Sequence, residues 1–188
     1  QLGTYLGKVV RGDLGHSYYF NTDVTQLLLD RLGPTLLLVV VSVLLAFVIG
    51  TWLGVQASRK PNGLLAQFTT VFSIAGFSAP VFWTGMMLII LFGSVWPILP
   101  TGDMTDSAST ATGLAALPDV LVHLILPSVT LALVYIAQYS RLSRASMIDV
   151  LGSDYVRTAR AKGVSERGIL YKHALRNAIV PVVALAAV

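Results

Sequence analysis

The stretch Pro34-Thr-Leu-Leu-Leu-Val-Val-Val-Ser-Val-Leu-Leu-Ala-Phe-Val-Ile-Gly50 belongs to a run of 27 residues, between Arg31 and Arg59, that carries no formal charge. A helix that crosses the roughly 30 Å hydrocarbon core of a bilayer needs about 20 predominantly apolar residues. The run therefore predicts a transmembrane helix over 34–58. Pro34 is expected in its first turn, where a proline costs no helical hydrogen bond. Gly50 and Gly54 form a small-xxx-small pair that favours close packing against another helix.

Three further apolar stretches follow. Residues 61–102 and 120–140 carry no charge over 42 and 21 positions, and residues 174–188 carry one, Arg176. They predict transmembrane helices over 64–95, 120–147 and 174–188. The first of these is expected to be one helix kinked at Pro80, because proline interrupts helical hydrogen bonding.

Composition agrees with a membrane protein. Of the 188 residues, 55% are hydrophobic and 12% are charged, about half the charge of an ordinary soluble domain. There are no cysteines, which excludes disulfides and thiolate metal sites. The last apolar stretch is only about 22 Å long, and the chain does not begin with Met. We interpret residues 1–188 as one transmembrane domain that is incomplete at both ends.

The charge distribution predicts the orientation of the spans, because cytoplasmic loops are enriched in Lys and Arg. Arg59 and Lys60 lie in one short turn, and residues 141–176 hold eight bases against three acids. Residues 101–119 hold three acids and no base, and the first 31 residues are balanced. Residues 1–33 and 101–119 are therefore predicted to be extracytoplasmic, while 58–63 and 141–173 are predicted to be cytoplasmic.

Motifs of ATP-binding and catalytic sites are absent from the sequence. It contains no Gly-x-x-x-x-Gly-Lys-[Ser/Thr] loop, no His-Glu-x-x-His and no Gly-x-Ser-x-Gly. The histidines, His16, His123 and His173, are too far apart to suggest a shared metal site. We expect no catalytic residue, no metal ligand and no cofactor bound by this chain. The predicted spans contain no Asp or Glu, which weakens the alternative of a secondary, ion-coupled transporter.

The basic segment after the third span carries helix signals of its own. Ser153-Asp154 is typical of a helix N-terminus and predicts a helix through about Ala161. Gly163 favours the left-handed backbone that ends helices. Ser165-Glu166 predicts a second helix running toward His173. Apolar residues are interspersed among the charges at Tyr155, Ala159, Ile169 and Leu170.

Two interpretations of residues 153–173 follow from the residues alone. The segment is either a basic loop that lies on anionic headgroups or a docking element for a cytoplasmic partner. A non-transporting membrane scaffold is a further alternative, although a scaffold does not need a helix–glycine–helix insertion.

The cytoplasmic signature of ABC-importer permeases resembles two stretches here, Tyr155-Val-Arg-Thr-Ala-Arg-Ala-Lys-Gly163 and His173-Ala-Leu-Arg-Asn-Ala-Ile-Val-Pro181. The general signature begins Glu-Ala-Ala, with a glycine six residues after the Glu. Residues 157–159 are Arg-Thr-Ala instead, and Leu175-Arg176 stands where Leu-Pro is usual. Both departures are similar to the dipeptide/oligopeptide/nickel branch, in its first-permease type.

The resemblance extends along the whole chain. Similar motifs occur, in the same order, at Arg11-Gly-Asp-Leu-Gly-His-Ser17, Arg31-Leu-Gly-Pro-Thr-Leu36, Pro80-Val-Phe-Trp-Thr-Gly85, Leu99-Pro-Thr-Gly102 and Leu126-Pro-Ser-Val-Thr-Leu131. In this family the second helix usually begins with Arg-Leu-Pro, so the proline here is one place later.

The resemblance implies an all-α, polytopic bundle with the type-I importer permease fold, of which this chain covers about helices 2 to 5. It implies a multi-pass protein of a bacterial or archaeal inner membrane. It also implies four kinds of neighbour: a second homologous permease, two cytoplasmic ATPases that use ATP and Mg²⁺, an extracytoplasmic substrate-binding protein, and membrane lipids. Nucleic acid is not an expected partner, and the residues do not distinguish dipeptide, oligopeptide, glutathione and nickel-chelate substrates.

The same resemblance implies that residues 153–173 form the coupling helices on which the ATPases dock. The resemblance assigns this docking role to ten residues: Asp154, Tyr155, Arg157, Thr158, Ala159, Arg160, Lys162, Gly163, Ser165 and Glu166.

Overall fold

Helices dominate the computed structural model, which describes residues 2–106 and 113–187. The predicted all-α class is confirmed, and a mobile loop expected at 107–112 lies outside the described residues. The α-helices are α1 (Leu2–Val10), α2 (Val24–Ser58), α3 (Leu64–Ser78), α4 (Val81–Ile89), α5 (Leu117–Leu151), α6 (Asp154–Ala161), α7 (Glu166–Gly168), α8 (Leu175–Ala178) and α9 (Val180–Ala186). π-Helical turns at Ile90–Val95 and Ile169–Ala174 continue α4 and α7, and Gly113–Ala116 forms a 3₁₀ turn.

The chain divides into two compact units between Val40 and Val41. The first unit holds α1, the start of α2 and a small antiparallel ladder of β1 (His16–Ser17) and β2 (Thr22–Asp23). His16 pairs with Asp23 and Ser17 with Thr22. The Thr25 hydroxyl donates to the Gly12 carbonyl at 2.8 Å, which ties the turn before the ladder to the start of α2.

Helix α2 begins at Val24, ten residues before the start that the sequence predicts at Pro34. Pro34 lies inside the helix, where its ring removes one backbone donor. In the turn that precedes Pro34, the Arg31 carbonyl accepts a hydrogen bond from the Thr35 hydroxyl at 2.8 Å. Membrane helices tolerate proline when such local donors compensate. The predicted end at Ser58 is confirmed.

The segment predicted as one kinked helix over 64–95 is instead two helices, α3 and α4 with its π-helical turn, that meet at 102°. Ala79 and Pro80 adopt extended ψ values of 128° and 133°. A residue before proline is pushed out of the helical region, and Pro80 offers no N–H to the preceding turn. Pro80 therefore breaks the helix rather than kinking it.

Two helices, α2 and α5, are each long and apolar enough to cross a membrane. The count rises to four if each of two bent pairs is one span: α3 with α4, and the 166–178 stretch with α9, which is bent by 46°. Helix α5 exceeds its predicted bounds of 120 and 147 at both ends and accommodates Pro127.

Close packing of α2 on α5 depends on the glycine pair. A Cβ atom at Gly50 would lie 2.7 Å from the Tyr139 Cβ, and one at Gly54 would lie 2.5 Å from the Ser140 carbonyl oxygen. Both distances are shorter than van der Waals contact, so a larger residue would force the helices apart. The predicted packing role of this small-xxx-small pair is confirmed.

Helix α3 runs antiparallel to α5. The Ser73 and Ser140 hydroxyls are 3.3 Å apart, and one turn away the Arg144 guanidinium donates to the Thr70 hydroxyl at 2.9 Å. Arg144 also donates to the Pro61 carbonyl at 2.8 Å. The basic turn between α2 and α3 therefore lies at the same end of the bundle as the basic half of α5.

Candidate functional site: the helix–glycine–helix segment

The first helix of the segment has the predicted bounds. Helix α6 begins at Asp154, with Ser153 at the N-cap position, and ends at Ala161. The Ser153 hydroxyl makes no capping bond, however, since it donates backward to the Val150 carbonyl at 2.6 Å. Asp154 in the first turn and Arg160 in the last complement the helix dipole.

Gly163 ends this helix in a Schellman motif. Its φ of +78° is in the left-handed region, as predicted. The Gly163 N–H donates to the Arg160 carbonyl at 2.9 Å, and the Val164 N–H donates to the Ala159 carbonyl at 3.2 Å. These two bonds and a contact between Val164 and the cluster containing Ala159 are the features of this motif.

The second helix begins as predicted but does not end at His173. The Ser165 hydroxyl caps it by accepting from the Gly168 N–H at 3.3 Å. From α7 the chain continues through the π-helical turn into α8, and the break falls near Ile179. The helix–glycine–helix segment and the last apolar stretch are thus continuous, because no glycine or proline interrupts residues 169–178.

One face of the segment is buried in its own small core. Val156, Ala159 and Ile169 form this cluster, with Val164 packed against it. Ala159 is only 8% exposed, so its side chain packs between the two helices. Its docking role stays a prediction.

The other nine predicted docking residues share one property, which is exposure to solvent. They are Asp154, Tyr155, Arg157, Thr158, Arg160, Lys162, Gly163, Ser165 and Glu166. Arg157 pairs with Asp154 at 2.7 Å, and Arg160 pairs with Glu166 at 3.0 Å. The Arg160 pair bridges the glycine turn, and an exposed pair of this kind contributes at most about 1 kcal/mol.

Side-chain bonds connect the segment to the spans. The Asn177 amide donates to the Tyr155 hydroxyl at 2.8 Å, which links α6 to α8. The Gln56 amide donates to the Tyr171 hydroxyl at 2.6 Å, which links α2 to the π-helical turn. Asn177 lies in the motif that runs from His173 to Pro181. Nothing local in the sequence indicates its contact with Tyr155, which lies 22 positions earlier.

A second apolar cluster lies beneath the segment. Leu170 and Ala174 pack with Ala178, with Val55 of α2 and with Met147 of α5. All five side chains are at most 6% exposed. The π-helical turn and α8 are thus in buried contact with two long helices, α2 and α5.

Residues 46–188 match the family described as "Binding-protein-dependent transport system inner membrane component". The chain is 39% identical to the oligopeptide transport system permease protein AppB of Bacillus subtilis, over 96% of this chain and 56% of that protein. It is 35% identical to the dipeptide transport system permease protein DppB of Escherichia coli K12, over 95% and 58%. It is also 35% identical to the di/tripeptide transport system permease protein DppB of Pseudomonas aeruginosa, over 95% and 57%.

The chain thus spans a little more than half the length of these relatives. The family resemblance, the permease fold and the inner-membrane localisation are confirmed. The match covers α5 and the whole helix–glycine–helix segment, together with the last third of α2, from Ala46 to Ser58. The chain belongs to the family of binding-protein-dependent transport system inner membrane components, the permeases of ABC importers.

Proposed function

We propose that this chain is part of a permease that imports di- or oligopeptides, or a related small solute, at the expense of ATP. The full-length protein would form the pathway with a second, homologous permease subunit. The observation that carries the proposal is the helix–glycine–helix segment, with one face exposed and the other buried in its own core. The substrate class is supported by the relatives described above, which are named as oligopeptide, dipeptide and di/tripeptide permeases.

The exposed face of α6 and its glycine turn form the docking surface for ATPase subunits. The surface carries ion-paired charges and the Tyr155 ring, while its opposite face is buried in the molecule's own core. A partner that moves this surface would also move α8 through Asn177 and α2 through Tyr171. Closure of two ATPases would then rock the helices between two arrangements as rigid bodies.

The chain supplies no chemistry of its own in this scheme. Its 188 residues contain no phosphate-binding loop, and ATP with Mg²⁺ would be bound by the partner subunits. An extracytoplasmic binding protein would deliver the substrate to residues 1–33 and 101–119, the segments assigned to the outside by charge.

Co-purification tests the proposal. The tagged full-length protein, extracted with its second permease, should retain ATPase subunits, and the complex should hydrolyse ATP. The full-length protein alone should show no hydrolysis above background. Charge reversal by Lys162→Glu on the docking face should reduce ATPase retention, whereas Arg11→Glu, an exposed site in the first unit, should not. Hydrolysis by the isolated protein, or equal effects of both variants, would contradict the proposal.

A further inference from the structure

A groove opens between α3 and α5, and none of residues 153–173, the helix–glycine–helix segment, lines it. Its volume is about 480 Å³, within the range of about 300–1,000 Å³ that is usual for small-molecule sites. Thr70, Ser73 and Phe77 of α3 line one side, and Arg141, Arg144 and Ala145 of α5 line the other.

The groove carries two positive charges that no acid offsets. Arg144 is held by the Thr70 hydroxyl at 2.9 Å and by the Pro61 carbonyl at 2.8 Å, and both of these acceptors are neutral. Arg141 is exposed, and its guanidinium makes no hydrogen bond or ion pair with any residue that the structure describes. No acidic side chain lines the groove among residues 2–106 and 113–187. The site therefore favours an anion.

The walls beside these cations are apolar. Phe77 is 66% exposed and Ile74 is 63% exposed, and both line the groove with Ala145. Such side chains gain free energy when hydrocarbon covers them. A small soluble anion would satisfy the guanidinium groups and leave these walls uncovered, whereas an amphiphile would satisfy both.

The depth of the cations also matches a lipid headgroup. Residues 120–140 of α5 carry no charge, and at 1.5 Å per residue they extend about 31 Å, close to the thickness of the hydrocarbon core. Arg141 follows directly, and Arg144 reaches the turn that holds Arg59 and Lys60. Basic pockets between helices at the cytoplasmic surface are suited to phosphate-bearing headgroups.

We propose that the α3–α5 groove binds an anionic phospholipid of the cytoplasmic leaflet, with the phosphate between Arg141 and Arg144 and an acyl chain along Ile74 and Phe77. The lipid would fix the packing of α3 on α5 at their cytoplasmic ends. Lipid binding here does not depend on the ATP-driven uptake proposed above, so either can fail alone.

The test is native mass spectrometry of the complete transporter, titrated with phosphatidylglycerol or phosphatidylcholine. The wild type should retain phosphatidylglycerol in preference to phosphatidylcholine. Arg141→Gln should weaken phosphatidylglycerol retention about fivefold, the effect of one surface cation. Arg176→Gln is the matched control, because it removes an exposed cation of the same side that does not line the groove. Ala145→Trp should also weaken retention by filling the groove without any change in charge.

Three outcomes would overturn the proposal. The first is equal retention by the wild type and Arg141→Gln, or an equal loss in Arg141→Gln and Arg176→Gln. The second is displacement of the lipid by inorganic phosphate at the lipid's own concentration, which would identify a site for free anions. The third is displacement by a dipeptide, which would identify a solute site in the pathway.

Discussion

At the scale of single residues, the proposed docking function depends on the backbone conformation of Gly163. Its left-handed φ of +78° costs a residue with a side chain roughly 1–2 kcal/mol, and a β-branched residue more. A Cβ atom there would meet no other atom within 4 Å, so the penalty of adding one comes from the backbone rather than from a clash.

Gly163→Val should therefore distort the turn and reduce ATPase retention, while the spans still insert. Gly163→Asn is the matched control, because Asn tolerates the left-handed region. The measurement is the amount of ATPase that co-purifies, together with stimulation of hydrolysis by the loaded binding protein. Retention and stimulation at the wild-type level in Gly163→Val would rule out a coupling role for this turn.

Gly54 supplies a residue-scale prediction about stability. Gly54→Ala places a methyl group 2.5 Å from the Ser140 carbonyl oxygen and should destabilise the α2–α5 contact by about 1–3 kcal/mol. Gly7→Ala in α1 is the control, since a Cβ there meets nothing within 4 Å. Thermal unfolding of the full-length protein in detergent should show a lower midpoint for Gly54→Ala alone. Equal midpoints would show that the close approach of α2 to α5 at Gly54 does not limit the stability of the protein.

Residue-scale prediction from sequence succeeded where the cause is local. The turn at Gly163 and the cap at Ser165 depend on neighbours within a few positions, so they could be anticipated. The burial of Ala159 depends on Ile169 in the next helix, and a motif match does not reveal which of its members face inward. Asn177 was missed for the same reason, since its partner Tyr155 lies on another helix.

At the scale of elements, the hydrogen bond between α6 and α8 leads to a prediction: ATPase docking and the stimulation of ATP hydrolysis by the binding protein can be disrupted separately. Asn177→Ala removes the bond to the Tyr155 hydroxyl, a neutral hydrogen bond worth about 1 kcal/mol. ATPase retention should persist, because Asn177 lies outside the docking face, while stimulation by the binding protein should fall about fivefold. Arg176→Ala, its neighbour, should leave stimulation unchanged. Loss of retention in Asn177→Ala would mean that the bond maintains the docking surface itself.

Helix bounds could be predicted for α6 and for the end of α2, where glycine, serine and charge mark the termini. The start of α2 could not, because a proline is typical of the first helical turn and Pro34 lies inside the helix instead. A kink at Pro80 was predicted rather than a break, and the angle of 102° depends on how α4 packs on α5, where a Cβ at Gly85 would lie 3.2 Å from the Thr130 methyl group.

At the scale of the whole molecule, the charge pattern predicts which loops face the cytoplasm. The bond from Arg144 to Pro61 supports this, because it brings the two basic regions to one end. The chain has no cysteine, so single cysteines can be introduced without background from it. Thr105→Cys should react with an impermeant thiol reagent in intact cells, and Asn62→Cys should react only after lysis. The reverse pattern would invert the proposed orientation.

ATP-dependent uptake tests the central claim most directly. The complete transporter, reconstituted in proteoliposomes with its binding protein, should accumulate labelled dipeptide only when ATP and Mg²⁺ reach the ATPase side. Gly163→Val should abolish most of this uptake and Gly163→Asn should retain it. Accumulation without ATP, driven by a proton or sodium gradient alone, would contradict the account and identify a secondary transporter.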